Sequence, residues 1–282
     1  MQQITPFLWY DGQAEEAARF YTSLFKNSSV DSVNPMVTTF QLNGLQFNAL
    51  NGGPQFKFTN AISLFATFTS FDEIDEIWKQ LTNDGTILME LNEYPWSKKY
   101  GWVNDKYGLS WQLFFGEKDQ QIAPLLLFVK EQFGNAEAAI DLYTSLFENS
   151  EKITVTRFGE AYPGFENNIQ YAAYSLNGQT FMAMESQMEH NFTFNEAFSF
   201  VIHCKNQQEV DYYWNKLIAD GGQESQCAWL KDKFGISWQV VPSLLMQLLG
   251  DKDREKANRV MKAMLQMKKV DCQKLQEAYD GK

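Results

Sequence analysis

The chain has 282 residues, enough for two domains with separate cores, and its 35 acidic against 24 basic side chains leave a net charge of −11. That balance excludes nucleic acid and anionic membrane surfaces as expected partners. Three cysteines, Cys204, Cys227 and Cys272, suggest no disulfide framework and fit a reducing compartment. Residues 1–12 show no basic segment leading into an apolar run, and no apolar stretch nears the ~20 residues of a membrane span, so a soluble, cytoplasmic protein is expected.

In chain order, Ile4–Tyr10 reads as a strand, and Ala14–Phe25 as a helix with Ala17, Ala18, Tyr21, Leu24 and Phe25 at helical spacing. Val37–Leu42 and Gln46–Leu50 predict a hairpin through Asn43-Gly44, a pair that accepts the positive φ angles of a type I′ turn. Ala61–Phe68 is a strand and Phe71–Asn83 a helix ended by Gly85. Further strands are expected over Thr86–Met89, Gly101–Asn104 and Ser110–Phe115, with a turn at Lys106–Gly108.

The second half then repeats the first. Ala14–Ser28 (AEEAARFYTSLFKNS) and Ala136–Ser150 (AEAAIDLYTSLFENS) share ten of fifteen residues, and Trp102–Gln112 (WVNDKYGLSWQ) matches Trp229–Gln239 (WLKDKFGISWQ). The repeat unit, about 120 residues, is a domain and not a solenoid module. The offset between copies runs 122, 134, 136, then 127. Copy two therefore gains twelve residues around Phe158–Gln170 and two near Ser186–Asn191, and loses nine between Gly221 and Trp229. After Pro242 a tail without counterpart predicts helices over Leu244–Leu249 and from Asp251 or Asp253 to about Gln266, with a last turn at Lys274–Tyr279. It reads as a core-covering or interface element, with a membrane-lying helix as the alternative.

LWYDGQAEEAARFYTSLF, LNGGPQFKFTNAIS, CAWLKDKFGISWQVVP and the tail sequences MKAMLQMKKVD and LQEAY resemble the PhnB-like branch of the glyoxalase/bleomycin-resistance (vicinal oxygen chelate) superfamily, whose members are often named 3-demethylubiquinone 3-methyltransferase-like. The resemblance implies an α+β fold: two tandem glyoxalase-like domains (1–118 and 121–242), each of paired βαβββ modules cupped around a small-molecule site, plus a helical tail (243–282). It implies an intramolecular pseudo-dimer, with a homodimer as a further option. It does not imply a reaction.

Superfamily enzymes hold a divalent ion through side chains near the start of the first strand, on the fifth strand and on the last. Carried across, those positions fall on Pro6 and Pro124 (with neighbours Thr5 and Ala123), Ser63 and Ser199, and Gln112 and Gln239. Proline and alanine cannot ligate and serine is a poor ligand for Zn²⁺ or Ni²⁺, so no metal and no cofactor are expected. No glycine-rich strand–turn–helix for S-adenosylmethionine is found; Gly52-Gly53 follows a hairpin and Gly221-Gly222 a helix. What remains is a metal-free cup for a small-molecule ligand, with Ser63, Trp102, Gln112, Ser199, Trp229 and Gln239 as binding candidates. Core packing or backbone bonding is the alternative for each tryptophan and glutamine, and for Trp111 and Trp238. A lyase or transferase-like enzyme is the alternative function, with chemistry in the second domain through Cys227 or Glu185. Their plainer readings are a buried inert thiol and a solvated strand-end charge.

Overall fold

The computed structural model describes residues 4–282. Contacts divide the chain into a unit over Thr5–Phe198 and a smaller one containing Ser199–Lys282.

In the larger unit, copy one runs β1 (Ile4–Tyr10), α1 (Ala14–Leu24), β2 (Ser29–Val33), β3 (Val37–Leu42), β4 (Leu45–Asn51), β5 (Ile62–Phe68), α2 (Phe71–Thr82), β6 (Thr86–Tyr94), β7 (Ser97–Asn104) and β8 (Ser110–Phe115). The helix α1 buries Ala14, Ala17, Ala18 and Tyr21, the one stripe its spacing allows. The Ser70 hydroxyl caps α2. Asn43 and Gly44 take φ of 45° and 82°, so the expected type I′ hairpin forms between β3 and β4. β6 and β7 are longer than read, because their hairpin continues to Tyr94 and Ser97. Copy two contributes β9 (Ile122–Phe128), α3 (Ala136–Leu146), β10 (Glu151–Arg157), β11 (Ile169–Leu176) and β12 (Gln179–Glu185).

One eight-stranded sheet has the order β10-β11-β12-β9-β5-β8-β7-β6. It joins the second module of copy one to the first module of copy two. The seam is antiparallel, with Ile62 opposite Leu126, Ser63 opposite Leu125 and Leu64 opposite Pro124. The repeats thus pair inside a single chain, as an intramolecular pseudo-dimer requires. Strand alternation assigns the two faces. Leu64, Trp111, Leu126 and Phe181 share the face that carries the helices, all nearly inaccessible. Ser63, Phe65, Gln112 and Leu125 share the other.

The smaller unit holds β13 (Phe198–Cys204), α4 (Gln207–Leu217), β14 (Gln223–Glu224), β15 (Trp229–Lys231) and β16 (Ser237–Pro242), ordered β14-β15-β16-β13. The tail is α5 (Ser243–Leu249), α6 (Arg254–Met264) and α7 (Cys272–Asp280); Asp253 caps α6, and α7 is a full helix rather than a last turn. Leu245, Leu248, Ala257, Val260, Val270 and Leu275 are buried, so the tail covers apolar surface. Gln207 fastens it, bonding the Val270 carbonyl and the Cys272 N–H. Among the described residues no helix is long and apolar enough to cross a membrane.

Candidate functional site

The face of the eight-stranded sheet opposite the helices carries an aromatic cluster with a polar thread through it. Two-residue periodicity puts Tyr100 and Trp102 of β7, Gln112 of β8 and Ser63 of β5 on this face. The Tyr100 hydroxyl donates to Gln112 Oε1 at 2.8 Å, and Gln112 Nε2 donates to Ser63 Oγ at 2.9 Å. All three side chains are buried, with Ser63 at 0 % and Gln112 at 3 % exposure. The Trp102 indole, half-buried, donates to Ser110 Oγ at 2.8 Å.

Phe65, Leu125, Leu127, Val129 and Met182 form the apolar floor, and Met89, Tyr94, Phe114, Tyr171 and Phe192 pack against it. Tyr94 stacks on the exposed Trp96 (5.1 Å, 21°) and meets Tyr100 edge-on (5.7 Å), so the long β6–β7 hairpin carries rings up to the polar thread. Burial, and then the neighbouring Tyr94, push the Tyr100 phenol well above its ordinary value, so it stays a neutral donor. Tyr100 joins Ser63, Trp102 and Gln112, the residues nominated from the sequence, although it was not itself among the binding candidates. The available signal was its place two residues before Trp102, on the same strand face.

The smaller unit carries the equivalent strand faces. Gln239 Nε2 donates to Ser199 Oγ at 3.1 Å, and Trp229 stands opposite Gln239 on the neighbouring strand. The Ser237 hydroxyl, the counterpart of Ser110, is buried with no hydrogen-bond partner. His203 lies on the Ser199 face, where copy one has Thr67; desolvation lowers its pKa.

Cys227 occupies the position of Tyr100 but not its role. Cys227 and Ala228 both have positive φ (59° and 73°), and their N–H groups donate to the carbonyls of Met267 and Lys268 in the tail. The tail therefore completes the edge where copy two lost its long hairpin. Burial raises the Cys227 thiol above its ordinary value, which lowers its thiolate fraction.

Glu185 is not a solvated strand end. It is buried, on the helix-facing side of β12, and accepts from the N–H groups of Ala136 (2.8 Å) and Ile169 (2.9 Å) and the Asn168 amide (2.8 Å). It caps α3, whose own preceding residue Asn135 does not. Asn51 does the same for α1, accepting from the Ala14 N–H at 2.9 Å.

Trp111 and Trp238 are core residues on the helix-facing side, each held by a buried aspartate that the sequence reading did not single out. Asp105 accepts from the N–H groups of Tyr107 and Leu109, the Tyr21 hydroxyl and the Trp111 indole, at 2.8–3.0 Å. Asp232 accepts from Phe234, Ile236 and the Trp238 indole. Burial pushes the Asp105 carboxyl up, opposed by these donated bonds.

The donor set fits a divalent ion poorly. On the same face of β9 the position nearest the expected ligand is Ala123, which has no donor atom, and Pro124 points to the opposite face. The hydroxyl of Ser63 and the amide of Gln112 are bonded to each other. Among the described residues no three His, Cys, Asp or Glu side chains converge. Gly52 is fixed by packing, since a Cβ there would lie 2.2 Å from the Trp9 ring.

The paired βαβββ modules have the glyoxalase-like fold. The family model for 3-demethylubiquinone-9 3-methyltransferase matches twice, over residues 2–114 and 120–241, so the chain belongs to that family. The chain is similar to a PhnB protein from Bacillus cereus (45% identity over 41% of this chain and 100% of that one, TM-score 0.38). It is also similar to a protein from Staphylococcus aureus (35% identity, 40% and 96%, TM-score 0.19). Glyoxalase I from Zea mays shares the fold across both repeats (10% identity, 86% and 93%, TM-score 0.56). No functionally curated protein matches the chain.

Proposed function

We propose that the protein is a small-molecule binding member of its superfamily, working without a metal, and that its principal site is the cup of Ser63, Tyr100, Trp102 and Gln112. The observation that carries this reading is the buried Tyr100–Gln112–Ser63 thread beside an aromatic cluster. Such a floor offers planar apolar surface together with a few fixed polar atoms, the composition of a typical small-ligand site. Ser199, Trp229 and Gln239 supply the corresponding, simpler surface in the smaller unit.

The family name denotes methyl transfer, and the alternative of a lyase or transferase-like enzyme has Cys227 and Glu185 as its candidate groups. The raised thiol and the fully bonded helix-capping carboxylate support binding over that chemistry.

Planar aromatic ligands are expected to raise the melting temperature of metal-free protein, and Tyr100→Phe to reduce that shift by roughly the worth of one hydrogen bond, about 1 kcal/mol of affinity. Shifts that need added Zn²⁺, Ni²⁺ or Mn²⁺, or that vanish with chelator, would sink the metal-free reading. Elemental analysis of purified protein is the companion measurement.

A further inference from the structure

Three connections of copy two are longer than those of copy one. Between the first strand and first helix, Asp11–Gln13 becomes Val129–Asn135. Between the second and third strands, residues 34–36 become 158–168. After the fourth strand, 52–61 becomes 186–197. All three meet at one place. Lys130 and Phe133 from the first, Phe165 from the second and Ser186–Asn191 from the third line an open groove of about 840 Å³. None of these residues belongs to the cup.

One wall is apolar: Phe133 and Phe165 meet edge-to-face with centroids 5.3 Å apart. The lining also carries polar groups, with the His190 ring bonded to Ser186 Oγ at 2.8 Å. Lys130 sits in the left-handed region at φ +52°, held by N–H bonds from Gln132 to Val129 and from Phe133 to Lys130. A non-glycine residue there costs about 1 kcal/mol, and such local strain collects at ligand sites.

We propose that this groove is a second binding site, for a small aromatic acid. The ring packs on Phe133 and Phe165, and the carboxylate pairs with the Lys130 ammonium. Glu189 also lines the groove, and its negative charge disfavours a more highly charged anion. The site stands independently of the cup, since it uses none of its residues.

2-Naphthoate is the probe. Titrated into the full chain and followed by backbone amide NMR, it is expected to give saturable shifts at Lys130, Phe133, Phe165 and Ser186–Asn191. Lys130→Met keeps the aliphatic stem and removes the charge, and is expected to weaken this binding roughly fivefold, as for a partly exposed ion pair. Glu189→Gln is expected to tighten it. Because these are exposed loop substitutions, an unchanged circular dichroism melt confirms that affinity alone has moved. Shifts confined to Ser63, Tyr100, Trp102 and Gln112, no saturable shift, or equal affinity for Lys130→Met and the parent would each overturn the proposal.

Discussion

The aspartate turns of the two repeats are built alike, whereas the strand edges beside them are not. Asp105 and Asp232 each fold a turn around the carboxylate and hold a buried tryptophan. A few residues earlier, copy one extends a long hairpin with Tyr94, Trp96 and Tyr100, while copy two ends in Cys227-Ala228 and borrows its edge from the tail. The comparison teaches that what both repeats keep is the machinery of folding. What distinguishes them lies on the sheet face opposite the helices and in the loops.

The largest expected effect tests the shared part. Asp105→Asn replaces an acceptor of four bonds by a group that must turn an N–H₂ toward other donors, costing about 3 kcal/mol. Asp232→Asn is expected to cost a similar amount, and urea melts of both variants make the check. A large difference between them would break the equivalence of the turns.

A smaller effect sharpens the difference at the helix caps. Glu185→Ala strands buried N–H groups of Ala136 and Ile169 and is expected to cost about 2 kcal/mol, against about 1 kcal/mol for Asn51→Ala. Equal losses would show that the extra bonds of Glu185 contribute nothing.

The smallest effect is one of pH. His203 titrates below its ordinary value because it is desolvated in the folded state. Below about pH 6.5 the unfolded chain takes up the proton first, so stability declines as pH falls through the folded value. His203→Gln is expected to flatten that part of the melting-temperature profile, while Thr67 in copy one offers no such slope. An unchanged profile would remove His203 from the account.

Much of this was legible in the sequence. Helical spacing from Ala14 to Leu24, the Asn-Gly turns and the repeat itself predicted the elements, and the resemblance implied the α+β class. Ser63, Gln112 and Trp102 followed from the resemblance, and strand alternation places them on one face. Three things were not legible. That β5 pairs with β9 of the other repeat as well as with β8 of its own depends on long-range contacts that leave no local periodicity. Glu185 reads as a surface charge and Asp105 draws no notice, because a charged residue at a strand end or beside a turn is usually solvated and only the surrounding N–H groups reveal the burial. The convergence of three loops on one groove is a property of topology, invisible in any single insertion.

The seam between β5 and β9 has a consequence for how such a molecule can change. In an assembly of two identical chains, any substitution reaches both cups at once. Here the cup is lined from both repeats of one polypeptide, yet each of its residues occurs once. Tyr100 can be retained while Cys227, its counterpart, takes up structural duty elsewhere. Fusion has given the two halves separate inheritances, so that one can specialise without the consent of the other.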